Sequence, residues 1–371
     1  MKIKTTAHPS TFIDKKLVET MRQYVAEAEQ MKSLHPQQLS IIYEQRWFKL
    51  FVPKIYGGLE LSLPDALKIE EGLAWTDGSL GWTVTLCGGA NWFVGFINKE
   101  IAKDVFADQK VCLAGSGKTC GMAKVIEEGY EITGNWSYAT GSTHATAFTA
   151  NCIIEKDGVV VKNSDGTQMI KAFLLPKEKV TLHKSWEYIG MAATASNSFE
   201  VKELKVPEQR AFIINKDHAV LEQPIYQYPF LHFAEATLAV NNSGMAFRFL
   251  DLYEKLIAEK ENDRYARELT HIGVLQLDDI KKQFKKVRQD FYVAVQQSWD
   301  AYLQNDTTLT EKLQILSQTS RLLATNARRL VDELYPYCGL AAAVPQSEIN
   351  RVWRDIHTVS QHPLLLSYMR S

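Results

Sequence analysis

"GYEITGNWSYATGSTHA", residues 129–145, begins with the alternation of a strand and then runs through four small or hydroxyl-bearing positions before His144. Trp136 and Tyr138 offer flat aromatic surface, while Thr140, Gly141 and Ser142 offer hydroxyls and accessible backbone. That pairing suits a planar conjugated ligand. It is also the composition of an ordinary strand with hydroxyls facing water. A second stretch, "WEYIGMAATASNSFEV" at 186–201, repeats the pattern with Thr194 and Ser196.

Both stretches fall in a zone, about 110 to 212, of short β-branched and aromatic runs divided by Asp157-Gly158 and Asp165-Gly166. This spacing predicts a compact antiparallel barrel or sandwich. On either side the period changes to three and four residues, as in "DKKLVETMRQYVAEAEQM" and "LQLDDIKKQFKKVRQDFYVAVQQSWDAYLQ". The expectation is an α+β protein: an N-terminal helical domain over 1–108, a central β-barrel over 109–212 and a C-terminal four-helix bundle over 213–371.

Bulk properties narrow the function. A net charge of −1 without a long basic block excludes the electrostatic footprint of a nucleic-acid binder. The five cysteines are scattered and never spaced C-x-x-C, which predicts neither a zinc knuckle nor a disulfide framework and points to a reducing cytoplasm. "LGWTVTLCGGANWFVGFI" at 80–97 is uncharged, but its paired glycines, Asn91 and lack of basic flanks predict a buried helix rather than a membrane span.

Nucleotide and metal motifs are missing. "AGSGKTCG" at 114–121 lacks the spacing of a P-loop and reads as a surface loop. No G-x-G-x-x-G follows a strand. In "RDIHTVSQHPLL" at 354–365, His357 and His362 stand five apart, which splays them by roughly 140° around a helix and predicts no metal there.

Taken together, "FVPKIYGGLELSLPDAL", "GYEITGNWSYATGSTHA", "GMAATASNSFEVKELKVPEQR" and "CGLAAAVPQSEINRVWRDIHTVSQH" resemble the acyl-CoA dehydrogenase superfamily along nearly the whole chain. The terminal segment is most similar to that of two-component flavin-dependent monooxygenases, such as the 4-hydroxyphenylacetate and dibenzothiophene enzymes. The resemblance implies FAD or FMN taken up as reduced flavin from a separate reductase, molecular oxygen, and a small aromatic or planar substrate. It also implies a homo-oligomer, either dimer or tetramer.

By motif position, Thr140 would contact the flavin N5 and His362 would act as catalytic base. The cofactor wall would comprise Trp136, Tyr138, Thr140, Gly141, Ser142, Thr194 and Ser196, with Gly339 and Arg354 from the terminal segment. Histidine suits proton transfer near neutrality, and standing before Pro363 pushes His362 out of helical geometry.

Two other functions stay open. An acyl-CoA dehydrogenase needs a carboxylate base, but the residue eight past Asp355 is Pro363 and the alternative on the first bundle helix is Glu235. A non-catalytic binding protein on the same fold is the other. Ala90-Asn91 stands where the monooxygenase branch usually has a histidine, and Ala192 where an arginine is common. The dehydrogenase R-x-x-F-G signature is not evident around "YARELTHIGVLQ" at 265–276.

Overall fold

The computed structural model describes residues 7–260 and 267–366. Six helices open the chain: α1 (Lys15–Gln23), α2 (Val25–Met31), α3 (Pro36–Glu44), α4 (Leu63–Thr76), α5 (Gly78–Asn91) and α6 (Lys99–Phe106). Their starts are written in the sequence. Asp14 accepts from the backbone N–H groups of Lys16 and Leu17, Asp77 from Leu80, and Asn98 from Glu100 and Ile101. The apolar stretch 80–97 is cut at Asn91 by a tighter helical turn, Trp92–Gly95, and is largely buried. No described helix is long and apolar enough to cross a membrane.

The middle zone forms one eight-stranded sheet: β1 (Leu113–Ile126), β2 (Gly129–Ala139), β3 (Ala147–Lys156), β4 (Val159–Val160), β5 (Ile170–Pro176), β6 (Thr181–His183), β7 (Asn197–Val206) and β8 (Ala211–Phe212). The order is β6-β7-β2-β1-β3-β5-β8, with β4 paired to β3. Only β1 and β3 run parallel. Where closure into a barrel was expected, the sheet stays open, because its edge strands β6 and β8 are three and two residues long and do not pair. The segment 114–121 is not a loop but part of β1. It slips register against β3 between Ser116 and Thr119 and again before Gly121, and that irregularity disguised the strand.

The sheet encloses a small core of its own around Trp136, Phe148, Phe173 and Phe199. Trp136 is fully buried there, stacked on Phe199 at 5.1 Å with Nε1 donating to the Asn151 carbonyl at 3.0 Å. Gly121 and Gly134 make room for it; a Cβ at either would lie 2.2 or 2.6 Å from the indole.

After α7 (Pro224–Gln227) come α8 (Phe230–Lys260), α9 (Arg267–Leu303), α10 (Leu309–Leu334) and α11 (Glu348–Val359). One continuous apolar core joins these helices to the N-terminal ones. α4 lies so close on α8 that a Cβ at Gly244 would stand 2.4 Å from the Glu71 carbonyl oxygen. Within this contact the Glu71 carboxylate is wholly buried. It accepts from Arg288 at 2.6 and 2.7 Å, Tyr292 at 2.7 Å and Ser243 at 2.5 Å.

Removing one partner of a buried, hydrogen-bonded pair leaves an uncompensated charge and costs about 3–5 kcal/mol. Glu71→Leu is therefore expected to lower the unfolding free energy by about that amount, read as a shift in the urea midpoint, whereas the exposed pair partner Glu19→Leu should change it little.

Candidate active site

A cavity of about 290 Å³ opens where the sheet meets α5 and α8. The N-terminal turns of α8 contribute Phe230, Phe233, Ala234 and Thr237, one face at three- and four-residue spacing. α5 contributes Thr85, Gly89 and Ala90, and β1 and β3 contribute Ser116, Gly117, Thr149 and Asn151. Thr140 and His362, far apart in sequence, both reach this space. Its walls are mainly apolar and aromatic, with a few convergent polar groups, as a pocket for a small planar molecule requires.

Thr140 does not stand alone. Its hydroxyl lies 2.9 Å from the Ser196 hydroxyl, which lies 2.7 Å from that of Thr194, and Thr194 donates to the Met191 carbonyl at 2.9 Å. Alongside, the Gly141 N–H donates to the Thr194 carbonyl at 2.8 Å and Ser142 Oγ to that of Ala195 at 2.7 Å. The two stretches singled out by composition are thus laced into one buried wall. Tyr138, Met191 and Ala195 border it in left-handed backbone conformations, φ 72°, 56° and 47°. Such strain in non-glycine residues persists only where surrounding structure over-determines it.

Tyr138 faces outward, 48% exposed, and meets Trp186 and Tyr188 in an aromatic cluster, with the Lys118 ammonium 4.5 Å from its ring centre. A flat outer face and a hydroxyl wall therefore adjoin, with Thr140 two residues from Tyr138 and itself on the cavity side. These groups fit an isoalloxazine ring, which needs aromatic surface and hydrogen-bonding partners at its edge.

His362 caps the short turn Pro363–Leu365, its Nδ1 accepting from the Leu364 N–H at 3.3 Å. The neutral ring's proton is consequently on Nε2, which makes no hydrogen bond within the described residues. Burial pushes this imidazole down to about 4, so it is neutral at physiological pH. Trp82 packs against it edge-on at 6.1 Å.

Other candidates are placed elsewhere. Trp136 belongs to the sheet's interior, because strand alternation turns it inward. Gly339 is an exposed junction with φ 72°, outside the cavity lining. Arg354 is occupied: it donates to the Ile189 and Pro345 carbonyls and Asn350, and pairs with Glu29 at 2.5 Å. His357 is held between the Trp353 carbonyl and Asp332. Glu235 is buried against α10, bonded to Ser317 and paired with Arg321 at 2.9 Å, and does not line the cavity.

The departures also find explanations. Asn91 Nδ2 donates to the Phe48 and Val111 carbonyls and its Oδ1 accepts from the Leu113 N–H, so this residue ties α5 to β1 while Ala90 faces the cavity. Ala192 is half-buried in a single turn beside the hydroxyl wall. Of "YARELTHIGVLQ", residues 265–266 lie outside the described residues.

Sequence reasoning missed Phe230, Phe233 and Thr237, although their helical periodicity was visible, and it missed Gly89, which carries no chemical group. It also missed a meeting of Cys87, Cys112 and His144, whose ligand atoms lie within 4.8 Å of one another. The hydrogen bond from Cys112, with His144 alongside, brings the Cys87 thiol down to about 6 against the opposing effect of burial.

Comparisons with known proteins agree with this architecture. Residues 236–366 match the family described as acyl-CoA dehydrogenase, C-terminal domain. Indole-3-acetate monooxygenase of Pseudomonas putida is 24% identical over 86% of this chain and 80% of its own length. The flavin-dependent monooxygenase oxygenase subunit HsaA of Rhodococcus jostii is 24% identical over 93% of this chain and 92% of its own. Among solved structures, a 3-HSA hydroxylase from a Rhodococcus species superposes with a TM-score of 0.82 at 21% identity, covering 97% of this chain and 93% of that one. XiaF from a Streptomyces species, in complex with FADH2 and glycerol, gives 0.79 at 20% identity over 96% and 91%. Residues 236–366 thus match the acyl-CoA dehydrogenase C-terminal domain model, and the chain as a whole shares the fold of these solved structures.

Proposed function

We propose that the protein is the oxygenase component of a two-component flavin-dependent monooxygenase acting on a small aromatic substrate. The observation that carries this reading is that Thr140 and His362 reach one aromatic-walled cavity, while Glu235, the carboxylate a thioester dehydrogenase would need, is tied to Arg321 and Ser317. When bound, reduced flavin supplies electrons to molecular oxygen, so that one oxygen atom can be delivered to the substrate. The Thr140 hydroxyl, backed by those of Ser196 and Thr194, and the Tyr138–Trp186 face would hold the ring system, and a separate reductase would provide it in reduced form.

The chain's own contribution is positional. Phe93, Phe230 and Phe233 exclude water and orient a flat substrate. His362, neutral with its proton on Nε2, donates to a substrate oxygen. An imidazole held at about 4 is a weak proton acceptor near neutrality, so accepting a proton requires the other tautomer and loss of the 3.3 Å contact with Leu364.

Mixing the protein with chemically reduced FAD or FMN, isotopically labelled oxygen and a panel of indole, indole-3-acetate and 4-hydroxyphenylacetate tests the reading. Label in a hydroxylated product is the expected result; oxygen returned wholly as free peroxide across the panel, or oxidation of an acyl thioester, would count against it. His362→Leu removes one neutral hydrogen-bond donor and should lower kcat/KM about tenfold, with His362→Gln intermediate. A Cβ at Gly89 meets open space, so Gly89→Val narrows the cavity and should raise KM for larger substrates more than for small ones.

The same histidine sets an acid limit. The unfolded chain protonates it near 6.5 and the folded chain only near 4, so unfolding takes up a proton between those values. Its stabilising contribution is complete above pH 6.5 and lost as the pH falls toward 4. Thermal melts across that interval should show a shallower acid-side decline in His362→Gln than in the parent protein.

A further inference from the structure

Cys87 on α5, Cys112 just before β1 and His144 in the turn after β2 come from three separate elements and converge on one point. Both thiols are fully buried. Both ring nitrogens of His144 are shielded from solvent, and among the described residues neither has a well-formed hydrogen bond, with only the cluster's own Cys87 thiol alongside. Burying an imidazole with donor and acceptor both unpaired costs free energy unless something else satisfies them. The ring itself is held in place, stacked on Phe48 at 5.5 Å and 18°.

The backbone keeps the centre of the cluster open. A Cβ at Gly141 would stand 2.6 Å from Cys87 Sγ and 3.1 Å from His144 Nε2, and Gly141 also has φ +76°, which disfavours any side chain. Glycine therefore preserves the space between thiol and imidazole.

We propose that Cys87, Cys112 and His144 form a buried binding site for a single zinc ion. Two thiolates and a neutral imidazole are the donor set this cation prefers, and two thiolates balance its charge. Zinc–sulfur and zinc–nitrogen bonds of about 2.3 and 2.0 Å bring tetrahedral ligand atoms to within about 4 Å of one another. The observed separations, all within 4.8 Å, need only small side-chain adjustments to reach that. Cys87 Sγ also donates to the Thr140 carbonyl at 3.5 Å, so the cluster adjoins the backbone of the cavity wall. Binding would release the proton of Cys112 and clamp the turn 139–144, whose Thr140 lines the cavity. The site is closed to solvent and is not part of the oxygen chemistry, so it stands or falls separately from the proposed activity.

The full-length protein, purified under reducing conditions and treated with a strong chelator, is titrated with zinc against a chromophoric competitor. It is then titrated with cadmium to read the thiolate–metal absorption in the ultraviolet. One equivalent per chain, lost in both Cys112→Ser and His144→Gln but kept in Cys120→Ser, which alters an exposed cysteine outside the cluster, is the expected result. Circular dichroism of each variant separates loss of the site from loss of fold, and a misfolded single variant is replaced by Cys87→Ala. Equal binding by parent and cluster variants would overturn the proposal. So would a Cys87–Cys112 disulfide with no metal uptake after its reduction.

Discussion

One buried carboxylate ties the three parts of this chain together. Asp355 on α11 accepts from the Met191 N–H at 2.5 Å, and its neighbour Arg354 grips the Ile189 carbonyl and Glu29 of α2. Gly190 permits the contact, because a Cβ there would fall 2.1 Å from the Arg354 carbonyl oxygen. The Met191 carbonyl in turn receives Thr194 Oγ1 and Trp186 Nε1. The hydroxyl wall is thus suspended from a helix of another zone. Burial and the nearby Asp77 raise the Asp355 carboxyl to about 8.

This explains why the Arg-Asp pair is a poor guide to cofactor contacts when read from sequence. Arg354 spends its donors on two carbonyls, an amide and a carboxylate of its own chain, and none points to the cavity. What distinguishes the site is a surface made from pieces that are individually ordinary: a glycine with open space above it, three phenylalanines and a chain of hydroxyls.

How much was legible follows from what each signal measures. The three zones were visible because helical and strand periodicities differ, and the wall at 139–142 and 194–196 because hydroxyls cluster beside aromatics. Trp136 misled, since composition does not say which face of a strand is inward; the two glycines opposite it, Gly121 and Gly134, were the available clue. Barrel closure was not legible, because edge-strand length depends on where loops leave the sheet. The 114–121 strand was hidden by its register slips, and the Cys87–Cys112–His144 cluster by its origin in three separate elements. His362 was found by motif position in the resemblance, with its place before proline in support, yet its tautomer depends on a single backbone N–H at Leu364.

The suspension of the wall from α11 also imposes an order on assembly. The strands and their interior around Trp136 rely on residues between 113 and 206, so this core can consolidate early from contacts of moderate sequence separation. The turn at 190–196 has its anchor only when residues 354 and 355 arrive, more than a hundred and fifty positions later. Closing so long a loop is entropically slow. Until it closes, Thr194 and Ser196 lack the anchor that orients them.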